Sequence, residues 1–72
     1  MQKEIQLIDL YKGQKFTIPG LEKSYRNLRL VRVNDVSAVI SGERKTKVND
    51  KEVWMNIPIT YTISPYTVVE KI

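Results

Sequence analysis

The chain has 72 residues, enough for one small domain, and its twelve Lys and Arg against eight Asp and Glu leave a formal charge of +4. It has no Cys and no His, which excludes disulfide staples, thiolate metal sites, a cysteine nucleophile and the commonest general base. No apolar run approaches the roughly 18 residues of a membrane helix and no signal-peptide core follows Met1, so a cytoplasmic protein that works away from membranes is expected.

In chain order, residues 1–12 admit two readings. Ile5, Ile8 and Tyr11 suit a short N-terminal helix, whereas Ile5 and Leu7 suit a strand. Phe16-Thr17-Ile18 reads as a short strand entered through Gly13 and left through Pro19-Gly20, and Leu21–Asn27 as a loop carrying Lys23, Tyr25 and Arg26. A strand near Leu28–Val33 has Leu28 and Leu30 on one parity and Val31 and Val33 on the other. That pattern calls for a bulge near Leu30 or for cover on both faces. Asn34-Asp35 and Asn49-Asp50 are turn dipeptides, since both residue types tolerate the left-handed backbone of tight hairpins. They divide the middle of the chain into a three-stranded antiparallel meander, with further strands at Val36–Val48 and Lys51–Ile63.

The last of these strands carries the clearest signal. Val53, Met55, Ile57, Ile59, Tyr61 and Ile63 alternate with polar residues or Trp54, the period of a half-buried strand, with Pro58 expected at an edge or a bend. A two-residue turn at Asn49-Asp50 pairs Val48 with Lys51, Thr46 with Val53, Lys45 with Trp54, Gly42 with Ile57 and Ile40 with Ile59. Val36, Ala38 and Ile40 then share a face with the apolar set. Ser64-Pro65-Tyr66 punctuates the chain before a closing strand at Thr67–Ile72.

Gly13-Gln14-Lys15-Phe16-Thr17-Ile18-Pro19-Gly20, the meander, and Ile63-Ser64-Pro65-Tyr66-Thr67-Val68-Val69 together resemble the SH3-like small barrel over residues 13–72. The resemblance implies an all-β fold, a small five-stranded antiparallel SH3-like barrel built around the meander, with a single turn of 3₁₀ helix before the last strand. Residues 1–72 would form that one domain. Leu21–Asn27 lacks the paired acidic residues of signalling SH3 domains, so proline-rich peptide binding is not part of the expectation.

The chemistry points to binding rather than catalysis. Ser24, Ser37, Ser41 and Ser64 lie in no nucleophile-elbow context, and the eight carboxylates sit at turns or beside Lys and Arg. No catalytic residue, metal ligand or cofactor is expected. The candidate binding residues are Trp54, placed opposite Lys45 where a cation–π contact can form, and two basic groups. The first comprises Lys23, Arg26, Arg29 and Arg32, and the second Arg44, Lys45, Lys47 and Lys51. Tyr25 and Trp54 are interleaved with them as stacking surfaces. Tyr61 and Tyr66 read as structural, and Trp54 either serves this surface or covers a second core layer. Nucleic acid is the expected partner, since phosphates match such a stripe. The alternative is an acidic protein surface, engaged by an accessory or inhibitor module of the phage or mobile-element type through an edge strand or the Trp54 patch. The oligomeric state is left open.

Overall fold

The computed structural model describes residues 3–72; Met1 and Gln2, the start of the ambiguous segment, lie outside the described residues. The rest of that segment is a strand, β1 (Lys3–Gln6), followed by a 3₁₀ turn at Leu7–Asp9. Six further strands follow: β2 (Lys15–Thr17), β3 (Tyr25–Val33), β4 (Ala38–Val48), β5 (Lys51–Asn56), β6 (Thr62–Ile63) and β7 (Val68–Lys71). All pairings are antiparallel, in the order β1-β7-β2-β3-β4-β5, with β6 also pairing β4. The fold is all-β, but it has seven strands rather than five and its sheet does not close.

Both Asn-Asp pairs turn the chain, with different geometries. Asn49 and Asp50 both have positive φ, 52° and 64°, the type I′ pattern whose twist matches the flanking strands. Val48 therefore meets Lys51, Thr46 meets Val53 and Lys45 meets Trp54, as the sequence predicts. At Asn34-Asp35 the loop is longer, and Val33 pairs with Ala38. Asn34 Oδ1 accepts from the N–H groups of Val36 (2.8 Å) and Ser37 (2.9 Å), a side-chain turn that leaves Val36 80% exposed rather than on the core face.

The expected strand Lys51–Ile63 is broken. Its alternation persists, but Ile59 and Thr60 loop out in a turn closed by Tyr61 N–H on the Pro58 carbonyl (3.0 Å). Ile57 N–H still reaches the Gly42 carbonyl (2.9 Å), yet β6 resumes with Ala38 opposite Ile63, two residues out of step. Ile59 is thus 91% exposed and does not meet Ile40. Pro58, with no N–H to give a ladder, sits at this bend.

Strand β3 begins three residues earlier than Leu28, so Tyr25, Arg26 and Asn27 belong to the sheet and not to a loop. Two register shifts interrupt its pairing with β4, one between Arg26 and Arg29 and one between Leu30 and Arg32, where a bulge is expected. At the first, Asn27 has φ 56° and Gly42 has φ 145°. A Cβ on Gly42 would lie 2.9 Å from Leu28 Cδ2 and 3.0 Å from the carbonyls of Arg26 and Asn27, so the close approach needs glycine.

The core gathers Leu7, Leu10, Phe16, Leu28, Leu30, Ala38, Ile40, Ile57 and Val69. Leu7 and Ile8 are fixed by backbone bonds to the carbonyls of Thr67 and Pro65. Ser64–Thr67 is a hydrogen-bonded turn rather than the expected 3₁₀ helix (Thr67 N–H to Ser64 carbonyl, 3.2 Å). Tyr66 is exposed, with its hydroxyl 3.4 Å from the Asp35 carbonyl, and Tyr11 is exposed with Lys71 Nζ 5.5 Å from its ring centre.

Candidate functional site

Pairing partners in a sheet share a face, and this sorts the charged side chains. Phe16 and Leu28 point into the core, so their neighbours Lys15 and Arg29, which also pair, point outward. Arg29 pairs onward with Ser41. The same outer face continues through Arg26, Glu43 and Asn56, then Lys45 and Trp54, then Lys47 and Glu52. Lys15, Arg26, Arg29, Lys45 and Lys47 thus share one surface with Glu43 and Glu52, an excess of cations.

Within this surface the charges divide into two regions. At the hairpin end, Arg26 Nε lies 3.0 Å from Glu43 Oε1 and its guanidinium carbon 4.3 Å from the centre of the Trp54 ring. Lys45 Nζ lies 5.3 Å from the same ring and 3.4 Å from Glu52. Asn27 Nδ2 adds a 3.0 Å bond to Glu43. The bonds from Arg26, then from Asn27, hold the Glu43 carboxyl below its ordinary range and outweigh the small opposing effect of burial. Trp54 is half-buried outside the main core, with two cations over its ring.

At the other end Lys15 and Arg29 lie directly opposite each other. Among the described residues neither has a carboxylate within 4 Å, because the only ion pairs there are Arg26–Glu43 and Lys45–Glu52. They line an open groove of about 490 Å³ with Asn27, Ser41, Asn56, the exposed Ile59 and Glu43, whose carboxylate is turned to Arg26 and Asn27. A second hollow of about 240 Å³ continues past Ser41 and Ile59 to Val31 and Arg32.

Arg44, Lys51 and Tyr25 lie on the other side of the hairpin. There Arg44 pairs with both Tyr25 and Met55, and Lys51 pairs with Val48. Arg44 is exposed because the β4–β5 hairpin runs past the core. For the same reason Val53 and Met55, on the apolar parity, are 37% and 49% exposed. Tyr61, half-buried beside Tyr25, has its hydroxyl pushed above the ordinary value of 10.0 by burial and by a hydrogen bond with Tyr25, with Arg44 opposing.

The candidate set is therefore split. Arg26, Arg29, Lys45, Lys47 and Trp54 share the outer face, Arg32 flanks its second hollow, and Tyr25, Arg44 and Lys51 do not join them. Sequence reasoning missed Lys15, Asn27 and Asn56. The parity of Lys15 against Phe16 is the signal that could have placed it. Among the described residues no three acidic side chains gather closely enough to hold a metal ion, and no helix is long and apolar enough to cross a membrane. No known protein family, curated protein or solved structure matches the chain.

Proposed function

We propose that this is a non-catalytic binding domain, without cofactor, that holds nucleic acid on the outer face of β2–β5. One observation carries the reading: Lys15 and Arg29 oppose each other across adjacent strands, and among the described residues neither has a carboxylate within ion-pair distance. Like charges in that position cost stability, and a phosphate between them would offset the cost. Asn27, Ser41 and Asn56 supply neutral hydrogen-bonding groups beside the pair, and the Arg26–Trp54–Lys45 cluster extends the surface toward the hairpin tip. At the hairpin Arg26 and Lys45 are already engaged by Glu43 and Glu52, which leaves the groove as the favoured place for a phosphate.

The reading takes the fold as an opened relative of the SH3-like barrel. The meander and the turn at Ser64–Thr67 into a last strand that pairs with both β1 and β2 support that kinship. It also sets the domain in the cytoplasm, where nucleic acid is accessible.

The test is a titration with labelled single- and double-stranded DNA and RNA, followed by anisotropy and Trp54 fluorescence at about 20 and 200 mM salt, a range over which phosphate contacts lose much of their strength. Binding that weakens steeply with salt supports the proposal. An affinity weaker than about 10⁻⁴ M for every oligonucleotide at low salt, poorer than ordinary non-specific binding, overturns it. The second reading, docking onto a protein partner through the hairpin, draws on the exposed apolar side chains Val48, Val53 and Met55.

A further inference from the structure

We propose that β5 pairs antiparallel with β5 of a second copy of this chain, joining two sheets into one across a two-fold axis. The inference is independent of the nucleic-acid reading.

The first ground is the free edge. Strand β5 ends the sheet order, and β6 pairs β4 farther along rather than covering it. In a two-residue hairpin the residues flanking the turn, Val48 and Lys51, exchange both backbone bonds, and bonded pairs then recur every second residue. Thr46–Val53 and Arg44–Met55 continue the series, as does the Ile57 N–H on Gly42. Glu52, Trp54 and Asn56 therefore turn their N–H and C=O groups outward, away from β4. No backbone bond outside the strand ladder uses them among the described residues.

The second ground is what the edge lacks. Solitary edges are commonly protected by shortness, charges, a proline or a bulge; β5 has charges only at its start, Lys51 and Glu52. The middle of β5 is Val53-Trp54-Met55, with two of the three apolar side chains substantially exposed.

The third is complementarity of register. Placing Trp54 opposite Trp54 of the second copy engages the outward groups of Glu52, Trp54 and Asn56 on both strands. It also sets Val53 against Met55 of the second copy, twice, and Glu52 against Asn56 of the second copy, twice. Apolar meets apolar and carboxylate meets amide. A shift of two residues in either direction leaves outward groups unpaired. In one direction it also lays Glu52 and Lys51 against Trp54 and Met55 of the second copy. The two-fold axis stands normal to the sheet, so both Trp54 clusters lie on one side. Their cations do not repel strongly, because Glu43 and Glu52 already hold Arg26 and Lys45.

The test is sedimentation equilibrium without nucleic acid, over protein concentrations of about 1–200 µM, with melting temperature followed against concentration, since a dimer melts higher as it is concentrated. The chain is expected to dimerise in that range. Val53→Glu alone and Met55→Lys alone should each weaken the dimer by about tenfold or more by placing a charge on an apolar partner. The double variant should recover it, because in this register each new carboxylate meets a new ammonium on the other copy. Melting curves at low concentration confirm that the variants fold. A chain monomeric throughout, a dimer untouched by the single variants, or a double variant no better than either single one would each overturn the proposal.

Discussion

The guanidinium carbon of Arg26 lies 4.3 Å from the centre of the Trp54 ring, although the two residues sit on strands separated by β4. The contact is diagonal: Arg26 pairs with Glu43, while Trp54 pairs with Lys45 two residues farther along β4. Glu43 holds the guanidinium in place by accepting from Nε at 3.0 Å and from Nη2 at 3.4 Å. One arginine thus joins a carboxylate and an indole across three strands.

Removing it should be felt in both. Arg26→Ala is expected to lower stability by about 1 kcal/mol, the combined scale of an exposed cation–π contact and a surface ion pair. Arg26→Lys should keep part of that, since an ammonium lacks the planar fork that faces both partners. Urea denaturation gives the stability, and a red shift of Trp54 emission reports the uncovered ring.

Acid should weaken the same cluster. The Glu43 carboxyl is held below the ordinary value of 4.5, so its contribution is fully present above that pH in the folded protein. It is lost as pH falls through the lower, folded-state value. Glu43→Gln should flatten the pH dependence of stability in that window and lower stability slightly near neutrality, where the carboxylate's contribution is fully present. A melting series across acidic pH for both proteins separates these outcomes.

Gly42→Ala should be a strongly damaging small substitution, on the side of β4 that faces Leu28. The backbone at φ 145° is unfavourable for alanine, and the new methyl group would press on Leu28 and on two carbonyls of the bulge. A loss of about 2–3 kcal/mol is expected from strain and displacement together. Chemical denaturation measures it directly.

At the groove, stability and binding should move in opposite directions. Lys15→Thr removes one of two like charges facing each other across β2 and β3, and should raise stability by about 0.3 kcal/mol. It should also weaken oligonucleotide binding and reduce the slope of log affinity against log salt by about one. A variant that binds as the parent does would show that the groove does not hold phosphate.

How much of this was legible in the sequence depends on the range of the interaction. The hairpin around Asn49-Asp50 was readable because a two-residue turn fixes every later pairing, which put Lys45 beside Trp54. Arg26 could not be placed with them, since its position depends on a bulge at Asn27 that rests on φ values at Asn27 and Gly42. The bulge near Leu30 was readable from the switch in parity between Leu30 and Val31. The facing of Lys15 and Arg29 was not, because nothing local brings β2 onto β3. The strand count failed at the first residues, where four residues pair with β7, and at Pro58, where one strand became two.

That interruption has a consequence of its own. A strand's pattern repeats every two residues, so moving β6 by two against β4 would return every side chain to the face it already had. Two alignments of this segment are consequently degenerate in hydrophobic pattern, one with Ile59 opposite Ile40 and one with Ile59 in solvent. The bend at Pro58, with Tyr61 N–H on its carbonyl, sets the observed one, in which Tyr61 and Ile63 pack against the core. The chain carries a two-residue slack beside its groove, taken up by the turn at Pro58.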